Sequence, residues 1–103
     1  MELIETSVFT KQVEARLSDE QYRALQLTLV LRPDAGKLIP GSGGLRKLRW
    51  GIAGRGKRGS VRVIYYWQAD PGRIFLLFLY TKNSQSDLSS AQLRTLRQLL
   101  SSD

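Results

Sequence analysis

Apolar residues recur along this chain at two different periods, and the change of period divides it. In the first third they come every three or four positions, as Phe9, Val13 and Leu17 and then as Tyr22, Leu25 and Leu29. That spacing marks one face of a helix, because 3.6 residues make a turn. Thr6 or Ser7 is placed to cap the first helix. Ser18-Asp19-Glu20-Gln21 spells a capping box for the second, and Pro33 ends it by disfavouring helical geometry at Arg32.

Further along, β-branched and aromatic residues take over. Val61-Arg62-Val63-Ile64-Tyr65-Tyr66-Trp67 predicts a strand, and Asp70-Pro71-Gly72 has the turn chemistry to return it into Ile74-Phe75-Leu76-Leu77-Phe78-Leu79-Tyr80. The second run is apolar on both faces, so it belongs inside a sheet with cover on each side. Leu45 to Trp50 is a third strand, and Leu3 and Ile4 are candidates for an added edge strand. Ser89-Ser90-Ala91-Gln92 is another capping box, opening a terminal helix with a stripe of Leu93, Leu96, Leu99 and Leu100. Arg94 and Arg97 fall off that stripe and are expected in solvent. The pattern predicts one α+β domain over residues 1–103: two N-terminal helices, a curved antiparallel sheet of three to four strands and a C-terminal helix.

Composition narrows the chemistry. Cysteine and histidine are both absent, which excludes disulfides, thiolate nucleophiles, the usual general base and the commonest metal ligands. Any catalysis must use Lys, Arg, Tyr, a carboxylate or the substrate itself. The acidic start Met1-Glu2-Leu3-Ile4-Glu5 is unlike a secretory signal, and no apolar run approaches the roughly twenty residues of a membrane span. A cytoplasmic location without membrane contact is expected.

The net charge of +7 is unevenly distributed: residues 1–34 carry −2, residues 35–69 carry +8 and residues 70–103 carry +1. The middle segment has eight Lys and Arg and no acid, a concentration of positive field that favours nucleic acid as partner. Eight of the nine glycines lie between Gly36 and Gly59. Two motifs there fail on context. Gly51-Ile52-Ala53-Gly54-Arg55-Gly56-Lys57 has Arg58 where a P-loop needs Ser or Thr, and Gly54-Arg55-Gly56-Lys57-Arg58-Gly59 leads into a strand, not the helix a dinucleotide fingerprint requires. What remains is a cationic loop suited to gripping phosphates.

Gly43-Gly44-Leu45-Arg46-Lys47-Leu48-Arg49, Gly56-Lys57-Arg58-Gly59, Arg62-Val63-Ile64-Tyr65-Tyr66 and Tyr80-Thr81-Lys82-Asn83 leading to Asp87-Leu88-Ser89 together resemble the HigB branch of the RelE/ParE toxin superfamily, from about Phe9 to the C-terminus. The resemblance implies a type II toxin that enters the ribosomal A site and cleaves messenger RNA without metal or other cofactor. The ribose 2′-hydroxyl of the substrate is the nucleophile, and a HigA-like helix-turn-helix antitoxin holds the toxin inactive. It assigns catalytic roles to Lys47 as base, Arg49 and Arg62 on the phosphate and Lys82 at the leaving oxygen. Arg46, Arg55, Lys57, Arg58, Tyr66 and Tyr80 become candidates for binding RNA or ribosome. The chain departs from RelE at Asn83, Gln85 and Ser89, and from the HigB branch at Ser84, so the proton donor stays open among Tyr65, Tyr66 and Tyr80.

Plainer roles compete at several positions. Tyr65 is expected in the core, Trp50 in packing at the sheet edge and Asp87 at a helix entrance, while Tyr66 stays open between core and base stacking. Two other functions fit the same fold: a ParE-like gyrase inhibitor and a non-catalytic RNA- or ribosome-binding module.

Overall fold

The hydroxyl of Thr6 accepts from the Phe9 amide at 3.0 Å and so opens α1 (Ser7–Arg16). Both capping boxes form in the computed structural model, which describes residues 1–51 and 60–100. Ser18 and Gln21 bond reciprocally at the start of α2 (Asp19–Leu31), and Ser89 and Gln92 do so at the start of α3 (Ser90–Leu99). Each box satisfies two amides that a helix start leaves free. Helix α2 stops at Leu31, two residues before Pro33.

The sheet corrects one expectation. Among the described residues it has five strands, not three or four, and it is mixed, with order β1-β5-β4-β3-β2. Strand β1 (Glu2–Glu5) runs parallel to β5 (Arg73–Thr81), while β2 (Lys37–Leu38), β3 (Arg46–Gly51), β4 (Ser60–Gln68) and β5 pair antiparallel in turn. The physical reason is the buried β5. Its outer amides and carbonyls need partners, and the Leu3–Ile4 segment supplies them. Strand β2 is two residues long, too short to carry a periodicity.

Helices α1 and α2 cover one face of the sheet, where Phe9, Val13, Leu25 and Leu29 pack against Val61, Val63, Tyr65, Ile74, Leu76 and Leu79. At the centre Tyr65 is fully buried, as expected. Its hydroxyl donates to the Pro33 carbonyl at 2.7 Å and accepts from the Gly36 amide at 2.8 Å. A Cβ on Gly36 would fall 2.8 Å from the Tyr65 ring, so that close approach requires glycine.

The opposite face holds a second cluster of Leu45, Ile64, Leu77, Tyr80 and Leu96, with Leu93 and Leu100 packed on it from α3. Leu99 departs from the expected stripe and is 46% exposed. It lies about 100° around the helix from Leu100, outside the narrow arc that meets the sheet.

One irregularity decides which side chains reach this second face. The register jumps between Ile64 and Tyr65, which oppose Phe78 and Leu76, so Leu77 is an extra residue in β5. Before it, Ile74 and Leu76 point to the α1/α2 core; after it, Leu79 does so, and Phe78 and Tyr80 turn to the α3 side. A bulge switches the parity of a strand in this way. Without it, Tyr80 would lie with Ile74 and Leu76. Among the described residues no helix is long and apolar enough to cross a membrane.

Candidate functional site

Three neighbouring strands carry a polar row across the α3 face of the sheet. Arg49 on β3 stands opposite Arg62 on β4, and Arg62 stands opposite Tyr80 on β5. Leu48 and Trp50 pack into the α1/α2 core, so strand alternation sends Lys47 and Arg49 to the other face. Arg62 likewise shares its face with Ile64 of the second cluster.

Arg62 is only 8% exposed, and its Nη1 donates to the Ser60 hydroxyl at 3.3 Å. Among the described residues neither Arg62 nor Arg49 has a carboxylate within ion-pair distance. Like charges placed directly opposite on a sheet repel, and a nearly buried guanidinium without a counter-ion is unfavourable. The arrangement leaves two neighbouring guanidinium groups able to meet an anion.

Asp87, in the connection between β5 and α3, meets the row from above. Its Oδ1 lies 3.5 Å from Lys47 Nζ and accepts from the Tyr80 hydroxyl at 3.3 Å. The Leu88 amide donates to the same oxygen at 2.9 Å. That amide chiefly, with Lys47 and Tyr80, holds the Asp87 carboxyl below the usual range despite some desolvation. For Tyr80 the balance runs the other way. Burial first, then the Asp87 charge and hydrogen bond, push the phenol up to about 12 against the opposing pull of Arg62 and Arg49. At neutral pH Tyr80 keeps its proton and is a donor.

Lys47, Arg49, Arg62 and Tyr80 thus come together, while the other expected site residues lie elsewhere. Arg46 is on the opposite face, where its guanidinium donates to the Gly36 carbonyl at 2.8 Å and sits 5.9 Å from the centre of the Trp67 ring. Tyr66 is on the α3 face but four residues along β4 from Arg62, about 13 Å at the strand rise. Its ring packs with Phe75 and lies 5.3 Å from the Arg97 guanidinium, so it is not a free stacking platform. Lys82 is exposed in the turn after β5 and has no hydrogen bond or ion pair among the described residues. Arg55, Lys57 and Arg58 lie outside the described residues.

Two residues carry more than sequence reasoning gave them. Arg97 was expected in solvent, yet its Nε donates to the Gly43 carbonyl at 3.0 Å while the guanidinium covers Tyr66. Asp87 was expected at a helix entrance, which leaves out its contacts with Lys47 and Tyr80. The available signal was that Asp87 is the only acid between Asp70 and Asp103 in a basic chain. Among the described residues no group of three or more acids is arranged to hold a metal ion.

The profile of a family described as the RelE toxin of the RelE/RelB toxin–antitoxin system matches residues 5–102. Among solved structures, a double mutant of the E. coli toxin RelE in the free state superposes with a TM-score of 0.59 at 13% identity, over 82% of this chain and 86% of that one. At that identity the likeness is one of fold.

Proposed function

The chain belongs to the RelE toxin family of toxin–antitoxin systems, and from that premise we propose that it is a ribosome-dependent messenger-RNA endonuclease working through the substrate 2′-hydroxyl. The observation that carries this reading is the Tyr80–Arg62–Arg49 row, with two arginines face to face and no carboxylate on either among the described residues. A bridging phosphate relieves their repulsion and takes two charge-assisted contacts.

In the proposed reaction the 2′-oxygen forms a bond to the adjacent phosphorus and the bond to the 5′-oxygen breaks. The products are a 2′,3′-cyclic phosphate and a 5′-hydroxyl. Lys47 is the base toward the 2′-hydroxyl proton, and Arg62 and Arg49 stabilise the charge that builds on the non-bridging oxygens. Tyr80, with its proton tightly held, donates toward the departing 5′-oxygen, and Lys82 neutralises charge there. Every chemical group required comes from these side chains and from the RNA. A HigA-like helix-turn-helix antitoxin is the partner, and the ribosomal A site presents the message.

In a translation extract the wild-type protein is expected to cut message within the reading frame, and Arg62→Ala to cut it about 10²–10³-fold more slowly. Undiminished cleavage by Arg62→Ala would remove Arg62 from the mechanism. Intact message together with blocked DNA supercoiling would replace the reading with gyrase inhibition.

A further inference from the structure

A groove of about 500 Å³ opens between the loop Pro40–Gly43 and the side of α3 that carries Ser90, Leu93, Arg94 and Arg97. Its cations are Arg94 and Arg97, and no acid lines it. Arg97 is held in place there by its Nε bond to Gly43 and its stack on Tyr66. Its two Nη groups make no hydrogen bond among the described residues. Arg94, three residues earlier and so about 5–6 Å away at Cβ, is exposed and has no partner among the described residues. The result is one fixed guanidinium fork beside one free one.

The glycines of the Gly43-Gly44-Leu45-Arg46-Lys47 motif are explained by the same packing. Gly43 (φ +75°) would place a Cβ 2.9 Å from Arg97 Nε, and Gly44 (φ +102°) would place one 3.0 Å from the Tyr66 ring. Any side chain there strains the backbone and displaces the clamp on Arg97. Both walls of the groove are joined to the site by short stretches of chain. The loop wall passes through Leu45 into Lys47 on β3, and the helix wall begins at Ser90, three residues after Asp87.

We propose that this groove is a second phosphate subsite, in which Arg94 and Arg97 hold the backbone of the single-stranded RNA whose scissile phosphate sits on Arg62 and Arg49. The inference rests on the endonuclease reading for the identity of the polyanion. Two cations without an acid favour phosphodiester oxygens over a peptide, and contact with backbone alone leaves base sequence unread.

The test is equilibrium binding of two RNAs at several salt concentrations, each with a 2′-deoxy nucleotide at the scissile position so that binding is read without cleavage. One is a dinucleotide that fills only the Arg62 site, and the other is a longer strand. For the longer RNA, Arg94→Ala and Arg97→Gln are each expected to lower the slope of log affinity against log salt by about 0.7, the value for one lost phosphate contact. The dinucleotide slope stays at its wild-type value. Circular dichroism and melting temperature establish that the variants are folded, and Arg94→Lys restores the slope because a lysine also neutralises a phosphate.

Unchanged slopes on the longer RNA overturn the subsite. So does an acidic peptide that binds the groove without displacing RNA. Cleavage by the wild type with unchanged variant slopes sinks the subsite alone. Failure of the wild type to cut message in the translation extract sinks the endonuclease reading with it.

Discussion

The hydroxyl of Tyr80 donates to Asp87, the same carboxylate that pairs with Lys47. One oxygen thereby ties the end of β5 to β3 across the site and fixes two groups that the proposed reaction needs in opposite protonation roles.

Replacing Asp87 by Asn removes the charge that helps hold the proton on Tyr80. Phenolate absorbance should show Tyr80 titrating at lower pH in Asp87→Asn than in the wild type, with Tyr80→Phe identifying the signal. Stability should change by less than about 1 kcal/mol, because the Asp87 side chain is 66% exposed and its pairing is screened. An unmoved titration would mean that burial alone sets the phenol.

Tyr80→Phe keeps the buried ring and deletes the donor. Cleavage is expected to fall about 10²-fold or more, with little change in melting temperature, if the phenol serves the leaving oxygen. Retained cleavage would assign proton donation elsewhere.

Three phenols, Tyr22, Tyr65 and Tyr80, hold their protons more tightly in the folded chain, each mainly through burial. A group whose pKa is raised on folding contributes stability that is full below its unfolded pKa, near 10 for tyrosine, and is lost as pH rises toward the folded value. For Tyr80 that window is about pH 10 to 12. Urea unfolding at increasing pH should show stability falling through this range, and Tyr80→Phe should flatten part of the fall.

Arg49→Gln separates stability from function. Removing one of two opposed guanidinium groups should raise unfolding stability by about 0.2–1 kcal/mol while slowing cleavage. A loss of stability in urea melts would show that the two arginines do not repel in the free protein.

Tyr65→Phe tests the junction after α2. It leaves the Gly36 amide and the Pro33 carbonyl without their partner, and unsatisfied buried groups cost about 1–3 kcal/mol each. A destabilisation of about 2–4 kcal/mol is expected; one below about 0.5 kcal/mol would mean that water replaces the hydroxyl.

What local rules control was legible along the chain. Caps at Thr6, Ser18 and Ser89 and the apolar spacing of α1 and α2 set the helices, because those signals act within a turn or two. Strand alternation sufficed to put Lys47 and Arg49 on one face, and counting charges located the basic third. The family pattern supplied the functional reading. Tertiary structure alone decided which strands meet and in what register. The opposition of Arg49, Arg62 and Tyr80 follows from hydrogen bonding between segments far apart in the chain, and the bulge at Leu77 carries Tyr80 to the site face against simple alternation. Asp87 acquires its contacts because its connection folds back over that row, and Arg97 is held against the Gly43 loop because two glycines let it approach. In each case the deciding partner is remote in sequence, where periodicity and capping carry no information.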